Sequence, residues 1–216
     1  MLQLSNIKAS RITNRVNLIF SDGSYLPLFI DDVVKLSLHK GQEIDQKLYE
    51  IITNTSLLYL GREYALRQIA ISPKTEKNLK LKLKLFFQKI RKKFNLITSD
   101  SISIIIDQII TNLNSKNLLN QESFVSYFIN KNRHKSKTQI LYLLSQQGIE
   151  INPEITNRFT LDDDQKLIEK YLNKKRISAD LLKDFNYRQK IMASLFRRGF
   201  KLSDIKAVID GLSNLK

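Results

Sequence analysis

The chain contains no cysteine and no tryptophan, and it has only six glycines, three prolines and two histidines. The missing cysteine excludes disulfides, thiol catalysis and every thiolate metal site, and it suits a reducing compartment. Two histidines, His39 and His134, lie far apart in polar contexts without metal-ligand spacing, and both read as ordinary surface residues. Six scattered glycines cannot supply a Walker-type phosphate loop. No run approaches the roughly 18 uninterrupted apolar residues of a membrane span. The opening MLQLSNIKASR lacks the apolar core of a signal peptide. The expectation is a cytoplasmic protein without membrane partner, metal or cofactor, and without an active site of its own. Asp162, Asp163 and Asp164 are the one acidic run, and three consecutive carboxylates on a helix point in different directions. They fit a helix N-terminus better than a metal site.

Acid is the other scarcity: 36 Lys and Arg face 21 Asp and Glu, a formal net charge of +15. That excess implies an anionic partner. It is also uneven. Residues 21–50 hold six acids against three lysines, whereas residues 74–93 hold nine basic residues against Glu76 alone. A lysine-, isoleucine- and asparagine-rich composition of the kind AT-biased coding produces accounts for lysine in place of arginine. It does not account for the lack of acids in particular segments.

What the chain does have is a recurring turn. Leu195-Phe196-Arg197-Arg198-Gly199-Phe200 repeats the pattern of Leu144-Ser145-Gln146-Gln147-Gly148-Ile149, 51 positions earlier. Glycine ends a helix in the left-handed conformation without steric cost, and the apolar residue after it folds back on the last turn. Around these turns, capping residues recur at Ser99-Asp100, Asn152-Pro153 and Ser203-Asp204, and apolar pairs recur at Leu85-Phe86, Ile140-Leu141 and Ile191-Met192. The expected architecture is mainly α: tandem three-helix, helix-turn-helix-like units at 62–119, 120–161 and 162–216. The first copy is degenerate, with Lys93 where the glycine would stand.

Residues 1–61 differ in texture. Val16, Leu18 and Phe20 alternate up to Asp22-Gly23, and Tyr25, Leu26 and Leu28 follow, which predicts a β-hairpin with a two-residue turn. Pro27 puts the second strand at an edge. Asp31 or Asp32 is expected to cap a short helix through Val33, Val34, Leu36 and Leu38 that stops at Gly41. From Asp45 the pattern is helical up to Pro73. The stretch from Pro73 to Phe94 alternates like a strand in LKLKLKL. As a helix, however, it gathers Leu79, Leu83, Phe86, Phe87, Ile90 and Phe94 into an arc of about 100°. Helix is the expectation, with Leu81 and Leu85 either exposed or touching a neighbouring unit.

Binding chemistry is better supplied than catalysis. The run Lys131-Asn132-Arg133-His134-Lys135-Ser136-Lys137 joins two helices and carries no acid; Lys174-Lys175-Arg176, and Arg197-Arg198 with Lys201, occupy comparable places in the last unit. Arg and Lys at turns engage phosphates or carboxylates. Tyr127, Tyr142 and Tyr187 read as core or half-buried residues rather than stacking platforms.

FVSYFINKNR followed by ILYLLSQQGI, and KIMASLFRRGF with SDIKAVID, resemble the RecX family, regulators of the RecA recombinase. REYALRQIA, leading into a basic helix and then LLNQESF, resembles it too, so the likeness covers about residues 63–210. The family pattern maps onto Ala65-Leu66, Leu119-Asn120-Gln121, Phe124-Val125, Gln147-Gly148-Ile149 and Arg197-Arg198-Gly199-Phe200. The departures are Asn120 and Gln121 for two acids, Gln147 for a lysine, and Lys93 for the first glycine.

The resemblance implies three-helix units bent into an elongated crescent that lodges in the groove of the RecA filament on single-stranded DNA. It would inhibit recombinase and ATPase activity and favour disassembly, as a monomer with weak nonspecific DNA affinity. The expected contacts are Arg133, Lys135, Lys137, Lys175, Arg197 and Arg198, with Gly148, Ile149, Gly199 and Phe200 as structural turns. The rival class is a helix-turn-helix protein acting directly on DNA. Against it, the closing helix after Ser203 shows only Lys206 and Asp210 on its polar side, which is poor for base readout.

Overall fold

The computed structural model describes residues 2–12, 14–94, 99–157 and 164–214. The chain divides into two compact units, 1–120 and 121–216, and is mainly helical with a small antiparallel sheet at its start.

In the first unit, strands β1 (Leu2–Ala9), β2 (Arg15–Phe20), β3 (Tyr25–Phe29) and β4 (Glu43–Ile44) form one sheet in the order β3-β2-β1-β4. The expected hairpin is β2-β3, with Leu18 opposite Leu26 and Val16 opposite Leu28, and Pro27 lies on the edge strand. Its loop is longer than the two residues expected. The Phe20 N–H donates to the Ser24 carbonyl (2.9 Å), and the Gly23 N–H donates back to the Phe20 carbonyl (3.0 Å). Ser21, Asp22 and Gly23 therefore form a three-residue loop, and Gly23 has φ +80°. Strands β1 and β4 extend the sheet beyond a hairpin, and β1 carries an irregularity between Leu4 and Asn6.

Helix α1 (Ile30–Lys35) is short and has no side-chain cap. Asp31 and Asp32 sit inside its first turn, not ahead of it, where their charge suits the positive helix end. Helix α2 (Gln46–Ile71) starts at Asp45, whose carboxylate accepts the Leu48 N–H at 2.7 Å, and ends where Pro73 forces Ser72 into the extended region. It runs unbroken across residues 61 and 62. Its first turns contribute Ile52 to the sheet core with Leu4, Leu18, Phe20 and Leu28, and its later turns contribute Leu57 and Ala65 to a helical core. That second core is completed by α3 (Glu76–Phe94), through Leu79, Leu83 and Phe87, and by α4 (Ser99–Ser115). At Gly61 a Cβ would lie 2.5 Å from the Phe87 ring and 2.6 Å from Ile109, so only glycine lets the helices pass this closely. The ambiguous segment is a helix, as expected, with Leu81 and Leu85 exposed. Lys93 lies within α3 rather than at a turn; the chain between α3 and α4, where the first stop would fall, is outside the described residues.

The second unit holds two more cores. Helices α5 (Gln121–Asn132), α6 (Lys137–Gln146) and α7 (Pro153–Asn157) bury Phe124, Val125, Ile140, Leu144, Ile149 and Ile155. Helices α8 (Asp164–Lys174), α9 (Phe185–Phe196) and α10 (Leu202–Asn214) bury Ile168, Leu172, Leu195, Phe200, Ile205 and Ile209, helped by a 3-10 turn at Leu181–Lys183. Asn152 caps α7 as expected, accepting the Ile155 N–H at 2.9 Å. Ser203 does not cap α10, because that helix already begins at Leu202. Asp164 opens α8; Asp162 and Asp163 are outside the described residues. Tyr187 packs against the third helical core, but Tyr142 is 58% exposed, contrary to the expected core placement.

Candidate functional site

Gly148 and Gly199 do stop helices, with φ of +82° and +84°. After α6 the Gly148 N–H donates to the Ser145 carbonyl (2.9 Å) and the Ile149 N–H to the Leu144 carbonyl (3.2 Å), the paired bonds of a Schellman motif. After α9 the Gly199 N–H donates to the Phe196 carbonyl at 2.8 Å. Ile149 and Phe200 are buried behind these stops. The same paired bonds close α1 at Ser37, α4 at Asn117 and α8 at Arg176, all with positive φ and none with glycine.

The Gly199 turn is pinned to the turn between α5 and α6. Ser136 is fully buried; its N–H donates to the Arg198 carbonyl (3.1 Å) and its hydroxyl donates to the Gly199 carbonyl (2.7 Å). The same hydroxyl accepts the Gln139 N–H at 3.1 Å and so caps α6. A Cβ on Gly199 would stand 2.4 Å from the Gln139 Cβ. Two turns 63 residues apart are thereby closed into one surface.

Cations gather at that junction. The Arg198 guanidinium lies over the Tyr171 ring, 4.3 Å from its centroid, and the Tyr171 hydroxyl is 3.2 Å from the Ser194 hydroxyl. His134 is held below the ordinary histidine range, first by burial and then by the positive charges of Arg198, Lys135 and Lys174. The junction thus unites Lys135 and Arg198, two of the six expected contacts, with His134 and Lys174. Arg133, Lys137, Lys175 and Arg197 are exposed in the same two turns and at the end of α8. Composition alone set His134 aside as ordinary surface; its place between Arg133 and Lys135 was the only signal that could have included it. Nothing in the sequence marked Tyr171 or Ser136.

A few cations elsewhere in the protein have acidic partners. Lys80 bridges Glu76 and Asp107 at 3.0 Å each, Arg67 meets Glu63 at 2.8 Å, Lys183 meets Asp180 at 2.7 Å, and Arg188 pairs with Asp210. Among the described residues, no carboxylate is ion-paired with Lys135, Lys174 or Arg198. No group of His, Asp and Glu among them is arranged to hold a metal ion. No described helix is long and apolar enough to cross a membrane.

Known proteins resemble this chain over most of its length. Residues 162–209 match the family model for the third three-helix domain of RecX. A regulatory protein RecX of Streptococcus agalactiae serotype V is 32% identical over 193 residues, covering 84% of this chain and 67% of that protein. The regulatory protein RecX of Clostridioides difficile is 27% identical over 216 residues, covering 94% and 92%. A crystal structure of RecX from Lactobacillus salivarius superposes with a TM-score of 0.47 at 23% identity, over 72% of this chain and 96% of that one. On the strength of the sequence likeness, the chain belongs to the RecX family of regulatory proteins.

Proposed function

We propose that this protein is a non-enzymatic, cytoplasmic modulator of the RecA recombinase. It binds as a monomer in the groove of the RecA–DNA filament, inhibits recombinase and ATPase activity and promotes filament disassembly, in the regulation of DNA repair and recombination. The observation that carries the reading is the junction of two turns. From the second and third units, taken as 120–161 and 162–216 beside a first unit at 62–119, Lys135, Lys174 and Arg198 gather at one junction, and among the described residues no carboxylate is ion-paired with them. A groove flanked by acidic protein and DNA phosphate suits such a surface. Family membership supports the recombinase as the partner.

DNA-stimulated RecA ATPase, measured with substoichiometric amounts of the protein, tests this directly. Strong inhibition, with weak binding to bare DNA at physiological salt, is the expected result. Tight, salt-steep binding to bare DNA without inhibition would favour the helix-turn-helix reading instead. Reversing Arg133, Lys135 and Lys137 to Glu together is expected to abolish inhibition while circular dichroism shows intact helicity. Unchanged inhibition would remove these residues from the contact surface.

A further inference from the structure

We infer that the junction between the α5–α6 and α9–α10 turns is a phosphate-binding notch that takes the backbone of a single nucleic-acid strand, with Phe196 as the platform for a base. The inference deepens the proposed function and rests on its basic surface. Three separate chain segments build the notch: His134 and Lys135 in one turn, Lys174 at the end of α8, and Arg198 in the other turn. It exists only while Ser136 holds the Arg198 and Gly199 carbonyls. Arg198 is fixed by the face of Tyr171 rather than by a carboxylate, so its charge is positioned but not neutralised. An anion arriving there meets one guanidinium already in place and loses less to its ordering. The charged groups facing His134 are Lys135 from its own turn, Lys174 from α8 and Arg198 from the turn before α10. All three are positive and, after burial, lower the imidazole pKa, so an anion bound beside it would oppose that shift.

A strand fits better than an acidic peptide for two reasons. Arg133, Lys175 and Arg197, each next in sequence to a notch residue, are exposed cations, and repeated phosphates need more than one. Phe196, 62% exposed, stands immediately before Arg197 at the end of α9. An exposed aromatic set among cations stacks a base while the backbone is neutralised beside it, whereas a run of carboxylates has no use for the ring.

The two histidines make the test direct, because His39 lies in the other compact unit and serves as an internal control. Proton NMR of the imidazole resonances of the full chain would be followed against pH, alone and with inorganic pyrophosphate, with an oligothymidylate of about ten nucleotides, or with polyglutamate. Pyrophosphate and oligothymidylate are expected to shift His134 and raise its pKa, and to leave His39 unchanged. Arg198→Gln should weaken both probes about tenfold. Tyr171→Leu should weaken both about threefold, with Tyr171→Phe restoring them, since the ring and not the hydroxyl carries the cation contact. Phe196→Ser should weaken oligothymidylate about tenfold and leave pyrophosphate binding alone.

A silent His134, or an Arg198→Gln variant that binds like the parent, overturns the notch. Pyrophosphate binding without oligothymidylate binding, or no effect of Phe196→Ser, overturns the strand. A polyglutamate response equal to that of oligothymidylate assigns the surface to an acidic protein and overturns the proposal too. Because no recombinase is present, each of these failures leaves the RecA reading standing. Lost ATPase inhibition with intact oligothymidylate binding would instead sink that reading alone.

Discussion

The two compact units join their cores in different ways. In residues 1–120 one long helix, α2, belongs to both the sheet core and the first helical core, and Lys80 on α3 is neutralised by Glu76 and Asp107. In residues 121–216 two small helical cores meet through backbone and hydroxyl bonds at a pair of turns, and among the described residues no carboxylate is ion-paired with Lys135, Lys174 or Arg198 there. A shared helix couples cores through packed side chains. A pinned turn couples them through a few hydrogen bonds and leaves its side chains to face outward. Lys80 on α3 is partly neutralised within the protein.

The largest expected effect comes from breaking the cores. Phe87→Ala should cost about 3–5 kcal/mol. Amide hydrogen exchange should rise in the sheet as well as in α3 and α4, because α2 links them. Leu195→Ala, at about 2–5 kcal/mol, should expose α8, α9 and α10 more than α5 and α6. Equal loss of protection in all of these helices would show that the turn joint couples its cores as tightly as α2 does.

Next in size is Gly199→Ala. Left-handed backbone and the clash with Gln139 together should cost roughly 2–4 kcal/mol in urea denaturation. Gly23→Ala has positive φ but open space around it, and should cost about 1–2 kcal/mol. The difference isolates the contact between turns. Smaller again is the comparison of two caps. Thr75 accepts the Asn78 N–H at 3.1 Å and caps α3, so Thr75→Ala should cost about 1 kcal/mol. Ser136 caps α6 and also pins Gly199, so Ser136→Ala should cost about 2–3 kcal/mol. Equal values would mean that the bond to Gly199 adds nothing. Smallest is a gain: Arg176→Gly relieves a non-glycine residue at φ +53° and should raise stability by about 0.5–1 kcal/mol, read as a higher Tm.

Much of the fold was legible because helices and hairpins announce themselves through near neighbours. The apolar spacing of Leu79, Leu83 and Phe87 overrode the strand-like alternation of LKLKLKL, and the Asn152-Pro153 cap and the stops at Gly148 and Gly199 are where the pattern put them. Strands β1 and β4 were not legible. One has an irregular register and the other is two residues long, so neither offers a clean alternation. The stops at Ser37, Asn117 and Arg176 were hidden for a different reason. Glycine advertises a left-handed residue, whereas a serine, asparagine or arginine in that conformation does not. The expected cap at Ser203 failed because α10 begins one residue earlier, and Tyr142 proved exposed because helical spacing alone does not say which side of a partly apolar helix meets a neighbour.

By itself the sequence determined the helical class, the hairpin at β2-β3, the two glycine stops, the excess of positive charge and the family. Each of these depends on residue type or on residues within a few positions of one another. Only the tertiary structure decided which cations stand together. The bond from Ser136 to Gly199, the seating of Arg198 on Tyr171 and the approach of Lys174 to His134 join segments far apart in the chain. Such pairings follow from how finished helical units dock, and docking is set by surface shape and by leftover hydrogen-bonding groups, which no local pattern encodes.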